Sequence, residues 1–167
     1  QPGHCDCRIS KMKLYNTLSS TKETFSAPDG TVGMYVCGIT PYAPSHIGHA
    51  MFAVVFDMVR RYLEFKGYQI KYVQNFTDID DKMIEAASNE GISTSVLAER
   101  NIQTYLREMG ALNVLPAHVY PRATMEIHRI VDMIQVLCEK GFAYAVNGDV
   151  YFRVRLDKEY GKLSKRS

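Results

Sequence analysis

Tyr35-Val-Cys-Gly-Ile-Thr-Pro-Tyr42, followed by Ser45-His-Ile-Gly-His-Ala50, is the stretch that decides how this chain folds. An apolar, β-branched run ends in a thiol and a glycine. A turn with two prolines, Pro41 and Pro44, follows. Two histidines three residues apart then stand where a helix begins. Strand, glycine-containing turn and helix start in that order suit a nucleotide triphosphate bound beside a small, metal-held substrate.

Working outward, residues 32–37 predict a buried strand bounded by glycines. After Ser45, the expected N-cap, Phe52, Val55, Phe56, Val59, Tyr62 and Leu63 repeat at helical spacing and predict one apolar helix face, with Gly67 as the stop. Residues 70–73 predict a second strand. Strand, crossover helix and strand make a βαβ unit, and so a parallel pair. Upstream, residues 14–16 and 22–25 suit short strands before the turn at Pro28-Asp29-Gly30. Downstream, helices are expected over 80–89, 93–109 and 124–140, with a loop carrying two prolines over 113–121. Residues 143–146 and 150–154, joined by Asn147-Gly148, predict a hairpin.

The 167 residues allow one domain with a real core, and 46% hydrophobic with 23% charged residues is ordinary for a soluble globular protein. A net charge of +2 and no long basic run leave a nucleic-acid partner permitted but not implied. The segment 30–56 has no charged residue, yet its prolines, histidines and glycines exclude a lipid-facing helix. No signal peptide is visible, and the first residue is Gln, so the numbering is expected to start inside a longer or processed product. Cys5, Cys7, Cys37 and Cys138 are spaced too irregularly for a secreted disulfide framework. Cys138 reads as a core thiol, and Cys5 and Cys7 as part of a tail over residues 1–12.

Three places carry chemistry. His46 and His49 at a helix start can aim both imidazoles at one anion, with Gly48 leaving room for a flat ring beside the backbone. Cys37 stands at the carboxyl end of an expected central strand, where open α/β sheets bind ligands. Asn75-Phe-Thr-Asp-Ile-Asp-Asp-Lys82 brings Asp78, Asp80 and Asp81 beside the same place, to hold an amine or to position Mg²⁺, unless Thr77 or Asp78 simply caps the next helix with solvated acids beyond.

Taken together the chain resembles the cysteinyl-tRNA synthetases, a family of class I aminoacyl-tRNA synthetases. The resemblance rests on Tyr15-Asn-Thr-Leu18, Met34-Tyr-Val-Cys-Gly-Ile-Thr40, His46-Ile-Gly-His49, Thr77-Asp-Ile-Asp-Asp-Lys82, Pro121-Arg-Ala-Thr124, Gly148-Asp-Val150 and Tyr160-Gly-Lys-Leu-Ser164. It implies an α/β fold: a Rossmann-like parallel sheet with a HIGH-type nucleotide site and a helical insertion. It also implies activation of L-cysteine with ATP and Mg²⁺, transfer to tRNA(Cys), a cytoplasmic location and a monomer. His46 and His49 would be catalytic, and with Gly48 would bind ATP. Gly38, Thr40, Thr77 and Asp78 would line the amino-acid pocket. Cys37 would be one ligand of a Zn²⁺ that selects a thiol over the near-isosteric serine hydroxyl. The family's other zinc ligands and its lysine-serine signature loop are expected downstream of Ser167; Lys162 to Lys165 matches a hairpin-end segment instead. The expected division is a tail over 1–12, the first half of the catalytic domain over 13–92, and a helical connective region with the closing hairpin over 93–167, weak or inactive alone. The alternatives are the related cysteine ligase of thiol biosynthesis, with a glucosaminyl-inositol acceptor, and a non-catalytic nucleotide-binding module. Lys82 and Tyr160-Gly-Lys-Leu-Ser164 favour the tRNA enzyme over the first.

Overall fold

A computed structural model describes residues 12–165. The expected tail with Cys5 and Cys7 lies outside the described residues except for Met12. Contacts group Pro28–His128 into one compact unit and the described residues on either side of it into another.

In the Pro28–His128 unit, β3 (Thr31–Ile39) runs into α1 (Ile47–Phe65), which returns the chain to β4 (Gln69–Phe76). β3 and β4 are parallel, as the βαβ reading predicts, with Thr31 opposite Gln69 and Val36 opposite Gln74. α2 (Asp81–Glu90) and α3 (Thr94–Ala111) follow. The chain then runs back along the free edge of β4, with parallel bridges from Val73 to Val119 and from Phe76 to Arg122. The Gln74 and Phe76 amides donate to the carbonyls of Val119 and Pro121. The expected proline loop therefore acts as a third parallel neighbour. Pro116 and Pro121 hid it, because proline cannot donate to a ladder. β4, not β3, is the middle strand; among the described residues β3 has a strand on one edge only.

The core of this unit gathers Ala53, Phe76, Met83, Leu97, Ile102, Tyr105 and Met109. α3 thus shares the core of the parallel strands. α1 sits differently from its expected orientation. Its buried residues are Ala53, Arg60 and Leu63, whereas Phe52, Val55 and Tyr62 of the expected face are exposed. Apolar residues surround much of α1, so periodicity alone could not choose the side that meets the sheet.

In the other unit, β1 (Lys13–Asn16) pairs antiparallel with β2 (Thr21–Thr24), and β5 (Ala143–Val146) with β6 (Asp149–Phe152). Asn147 and Gly148 both take positive φ, as a type I′ hairpin turn requires. α4 (Ile127–Glu139) starts three residues after the expected Thr124, because Ala123–Met125 forms a 3-10 turn instead. Cys138 is half-buried rather than core. Lys165 donates to the Leu18 carbonyl at 2.7 Å, and Lys162 pairs with Glu159. Among the described residues no helix is long and apolar enough to cross a membrane.

Candidate functional site

The start of α1 is built by its two histidines. His46, not Ser45, is the N-cap: its Nδ1 accepts from the Gly48 amide at 3.1 Å. His49 at the third helical position reciprocates, its Nδ1 accepting from the His46 amide at 3.2 Å. This is a capping box made of imidazoles. An Nδ1 that accepts carries no proton, so each neutral ring is the Nε2–H tautomer. The rings stack with centroids 4.0 Å apart and planes 24° from parallel. Partial burial pushes the His49 imidazole below its ordinary pKa, and neighbouring His46 adds to the effect. The His49 ring is therefore suited to act as a neutral donor at the positive end of the helix dipole, with the His46 ring stacked beside it.

Gly48 is explained by the same geometry. A Cβ there would lie 2.8 Å from Cε1 and 3.0 Å from Nδ1 of His46. The flat ring that lies against its backbone is His46's own imidazole.

Cys37, Gly38 and Thr40 at the end of β3 line the same open cavity, of about 510 Å³, as His46, Gly48 and His49, together with Tyr42 and Phe52. Cys37, nine and twelve residues before the two histidines, thus lines the same cavity as both. Two residues that sequence reasoning missed fix the turn between them. Asn101, buried on α3, donates from Nδ2 to the Pro41 carbonyl at 2.8 Å. Asn75 on β4 accepts the Gly38 amide at 2.8 Å. Both are polar residues in otherwise ordinary elements, and only their tertiary partners reveal them.

Thr77 and Asp78 do not line this cavity. The Thr77 amide donates to the Ile39 carbonyl at 3.0 Å, and its hydroxyl accepts from Asn75 at 3.3 Å. Asp78 is 6% exposed and accepts at both oxygens from Thr124: the amide at 3.0 Å and the hydroxyl at 2.6 Å. It anchors the Ala123–Met125 turn. Asp80 is the cap of α2, accepting from the Lys82 amide at 2.9 Å.

A second cavity of about 280 Å³ lies among α1, α3 and β4, lined by Arg60, Tyr72, Gln74 and Tyr105 among others. Its charged groups are already satisfied. Arg60 bonds Glu64 and the Pro116 carbonyl, and Asp57 bonds Arg61 and the Leu115 amide. Burial pushes Tyr72 up to about 12, so its phenol stays neutral. We regard it as a packing seam, and the cavity beside His46 as the candidate site.

Residues 24–167 match the family described as tRNA synthetases class I (C) catalytic domain. The chain is 57% identical over 157 residues to a cysteine–tRNA ligase of Dehalococcoides mccartyi, covering 93% of this chain and 34% of that protein. It is 55% identical over 157 residues to the corresponding ligase of Lachnoclostridium phytofermentans, covering 93% of this chain and 33% of that protein. The chain thus spans about a third of the length of these curated relatives. Among solved structures, Mycobacterium tuberculosis methionyl-tRNA synthetase bound by methionyl-adenylate superposes with a TM-score of 0.60 at 25% identity. That match covers 68% of this chain and 23% of the other.

Proposed function

Because this chain belongs to the class I (C) tRNA synthetase catalytic-domain family, we propose that its cavity is part of a site that activates L-cysteine with ATP and passes it to tRNA(Cys). A cysteine carboxylate oxygen attacks the α-phosphorus. The new P–O bond forms as the bond to the bridging oxygen breaks, and pyrophosphate leaves with the electron pair. The ribose hydroxyl of tRNA then attacks the mixed-anhydride carbonyl and AMP departs.

The observation that carries this reading is the imidazole capping box. It directs two Nε2–H groups outward from a helix N-terminus, where phosphate oxygens gain charge in the transition state. Gly38 and Thr40 on the opposite wall suit the amino-acid end. The solved neighbour is bound by methionyl-adenylate, the kind of intermediate that this reading requires. The parallel βαβ unit and the position of His46 and His49 support the finer reading of a Rossmann-like sheet with a HIGH-type nucleotide site; of the expected helical insertion over 93–140, α3 packs into the core of the same unit. Asp78, held by Thr124, is best read as support beneath the pocket, and Thr77 as a brace for Ile39. The division at 92–93 is retained as one of chain order only.

The resemblance also implies zinc. Among the described residues no group of three or more His, Cys, Asp or Glu residues could hold a metal ion. Cys37 alone does not make a zinc site, and no step is routed through one.

Calorimetric titration of the chain with a non-hydrolysable cysteinyl-adenylate analogue, against the seryl analogue, tests the proposal. Binding that prefers cysteine and is lost in the His46→Asn, His49→Asn double variant is expected. Equal binding by the double variant, or none by the wild-type chain, would refute it.

A further inference from the structure

The β3–β4 ladder is regular as far as Val36 opposite Gln74 and resumes at Ile39 opposite Phe76. Three steps along β3 therefore match two along β4, leaving one extra residue, a bulge. Cys37 and Gly38 fall inside it. The peptide group between them offers the Cys37 carbonyl and the Gly38 N–H, and both find their partners in β4 side chains. Gln74 Nε2 donates to the carbonyl at 3.5 Å, and the N–H donates to Asn75 Oδ1 at 2.8 Å.

Asn75 does most of this. The same Oδ1 accepts from the Tyr35 hydroxyl at 3.0 Å, while Nδ2 donates to Thr77 Oγ1 at 3.3 Å. Gly38 N–H can only donate, so the orientation of the amide is fixed by chemistry. The backbones are so close that a Cβ on Gly38 would lie 1.3 Å from the Asn75 carbonyl oxygen. Aspartate would keep the acceptor and lose the donor to Thr77. Leucine would keep the shape and lose both.

We propose that Asn75 is the positioning residue of the cavity, holding the Cys37–Gly38 peptide plane so that the thiol and Thr40 form the wall facing His46 and His49. The inference deepens the cysteine-activation reading and rests on it for its meaning, but its test needs no ligand. Failure of adenylate binding by the wild-type chain would count against the function alone.

The test uses the full chain and the variants Asn75→Leu and Asn75→Asp, with amide exchange read at Gly38 by NMR and iodoacetamide alkylation resolved by peptide at Cys37 and Cys138. Loss of one hydrogen bond predicts about a fivefold fall in Gly38 protection in the leucine variant. The ratio of Cys37 to Cys138 alkylation should move by about threefold or more, because thiol reactivity follows local environment. Cys138, on α4, is the internal reference that a general loosening would move as well. Asn75→Asp, which keeps the acceptor, should restore Gly38 protection and the ratio. A folded leucine variant with unchanged ratio overturns the proposal. If the leucine variant does not fold, the aspartate variant decides: loss of Gly38 protection there overturns it, and retention supports it.

Discussion

Gly48→Ala separates the capping box from the helix it begins. Gly48 does not take a left-handed φ, so an alanine backbone is unstrained there. The obstacle is the His46 ring, 2.8 Å from the new Cβ at Cε1 and 3.0 Å at Nδ1. The ring must swing away, losing its bond from the Gly48 amide; a cap of this kind is worth about 1 kcal/mol. Alanine in place of glycine returns up to about 1 kcal/mol of helix propensity. The two nearly cancel, so the melting temperature should stay within about 5 °C of wild type. Binding should not. A hydrogen bond from Nε2–H to a charged phosphate is worth about 1.5–3 kcal/mol, so affinity for the adenylate analogue should fall by about 10- to 100-fold.

The control is Gly67→Ala, just past the end of α1. Gly67 has φ +88° and no atom within 4 Å of its Cβ position. There alanine is strained but unobstructed, so it should cost about 1 kcal/mol of stability and leave binding alone. Thermal denaturation by circular dichroism and calorimetric titration read both quantities. Unchanged binding in a folded Gly48→Ala protein would refute the claim that the His46 ring, placed by Gly48, is what the ligand meets.

Three further outcomes follow from the geometry. Gly38→Ala drives a Cβ into the Asn75 carbonyl, and a backbone obstacle cannot swing away; urea denaturation should show a loss of more than about 3 kcal/mol or no folded protein. Thr124→Val removes the hydroxyl donor from the buried Asp78 carboxylate and should cost about 1.5–3 kcal/mol in the same assay; a change near zero would mean that Asp78 does not depend on Thr124. For His49, whose folded pKa lies below the ordinary histidine value of 6.5, the unfolded chain binds protons first as pH falls. Its contribution to stability is intact above about 6.5 and declines as pH falls below that, toward the folded pKa. His49→Gln should flatten that part of the stability–pH curve, and an unchanged slope would assign it to other groups.

The parallel βαβ unit was legible because its signals are local: a β-branched run, a period of 3.6 and a glycine stop. The third neighbour of β4 was not, since residues 119–122 make only two bridges, follow Pro116 and contain Pro121, and prolines argue against a strand. At the site, the convergence of Cys37 with His46 and His49 followed from strand and helix direction alone. Which acid caps α2 did not. Thr77 or Asp78 was the expected cap, but Asp80 takes the position, because both oxygens of Asp78 are engaged by Thr124, 46 residues away. Asn75 and Asn101 were invisible for the same reason: a polar side chain announces no role until its partner is known.

The capping box shows why histidine stands where helices usually begin with Ser, Thr, Asp or Asn. Those residues cap well because they present an acceptor to the first free amides. An Asp cap at this point would set negative charge against a phosphate, and an Asn or Ser cap has little reach beyond the amide it satisfies. Imidazole divides the two tasks between two atoms. Nδ1 accepts the helix amide, and that bond fixes the tautomer that leaves Nε2–H free to donate. Protonation would turn Nδ1 into a donor facing another donor, so the cap itself opposes the imidazolium, in the direction that burial already pushes His49. The two rings are thereby stacked and oriented by the backbone they cap. On the proposed reading, phosphate recognition at this helix follows from how the helix starts, and disturbing the cap without replacing the imidazole should be enough to weaken it by the roughly 10- to 100-fold expected of Gly48→Ala.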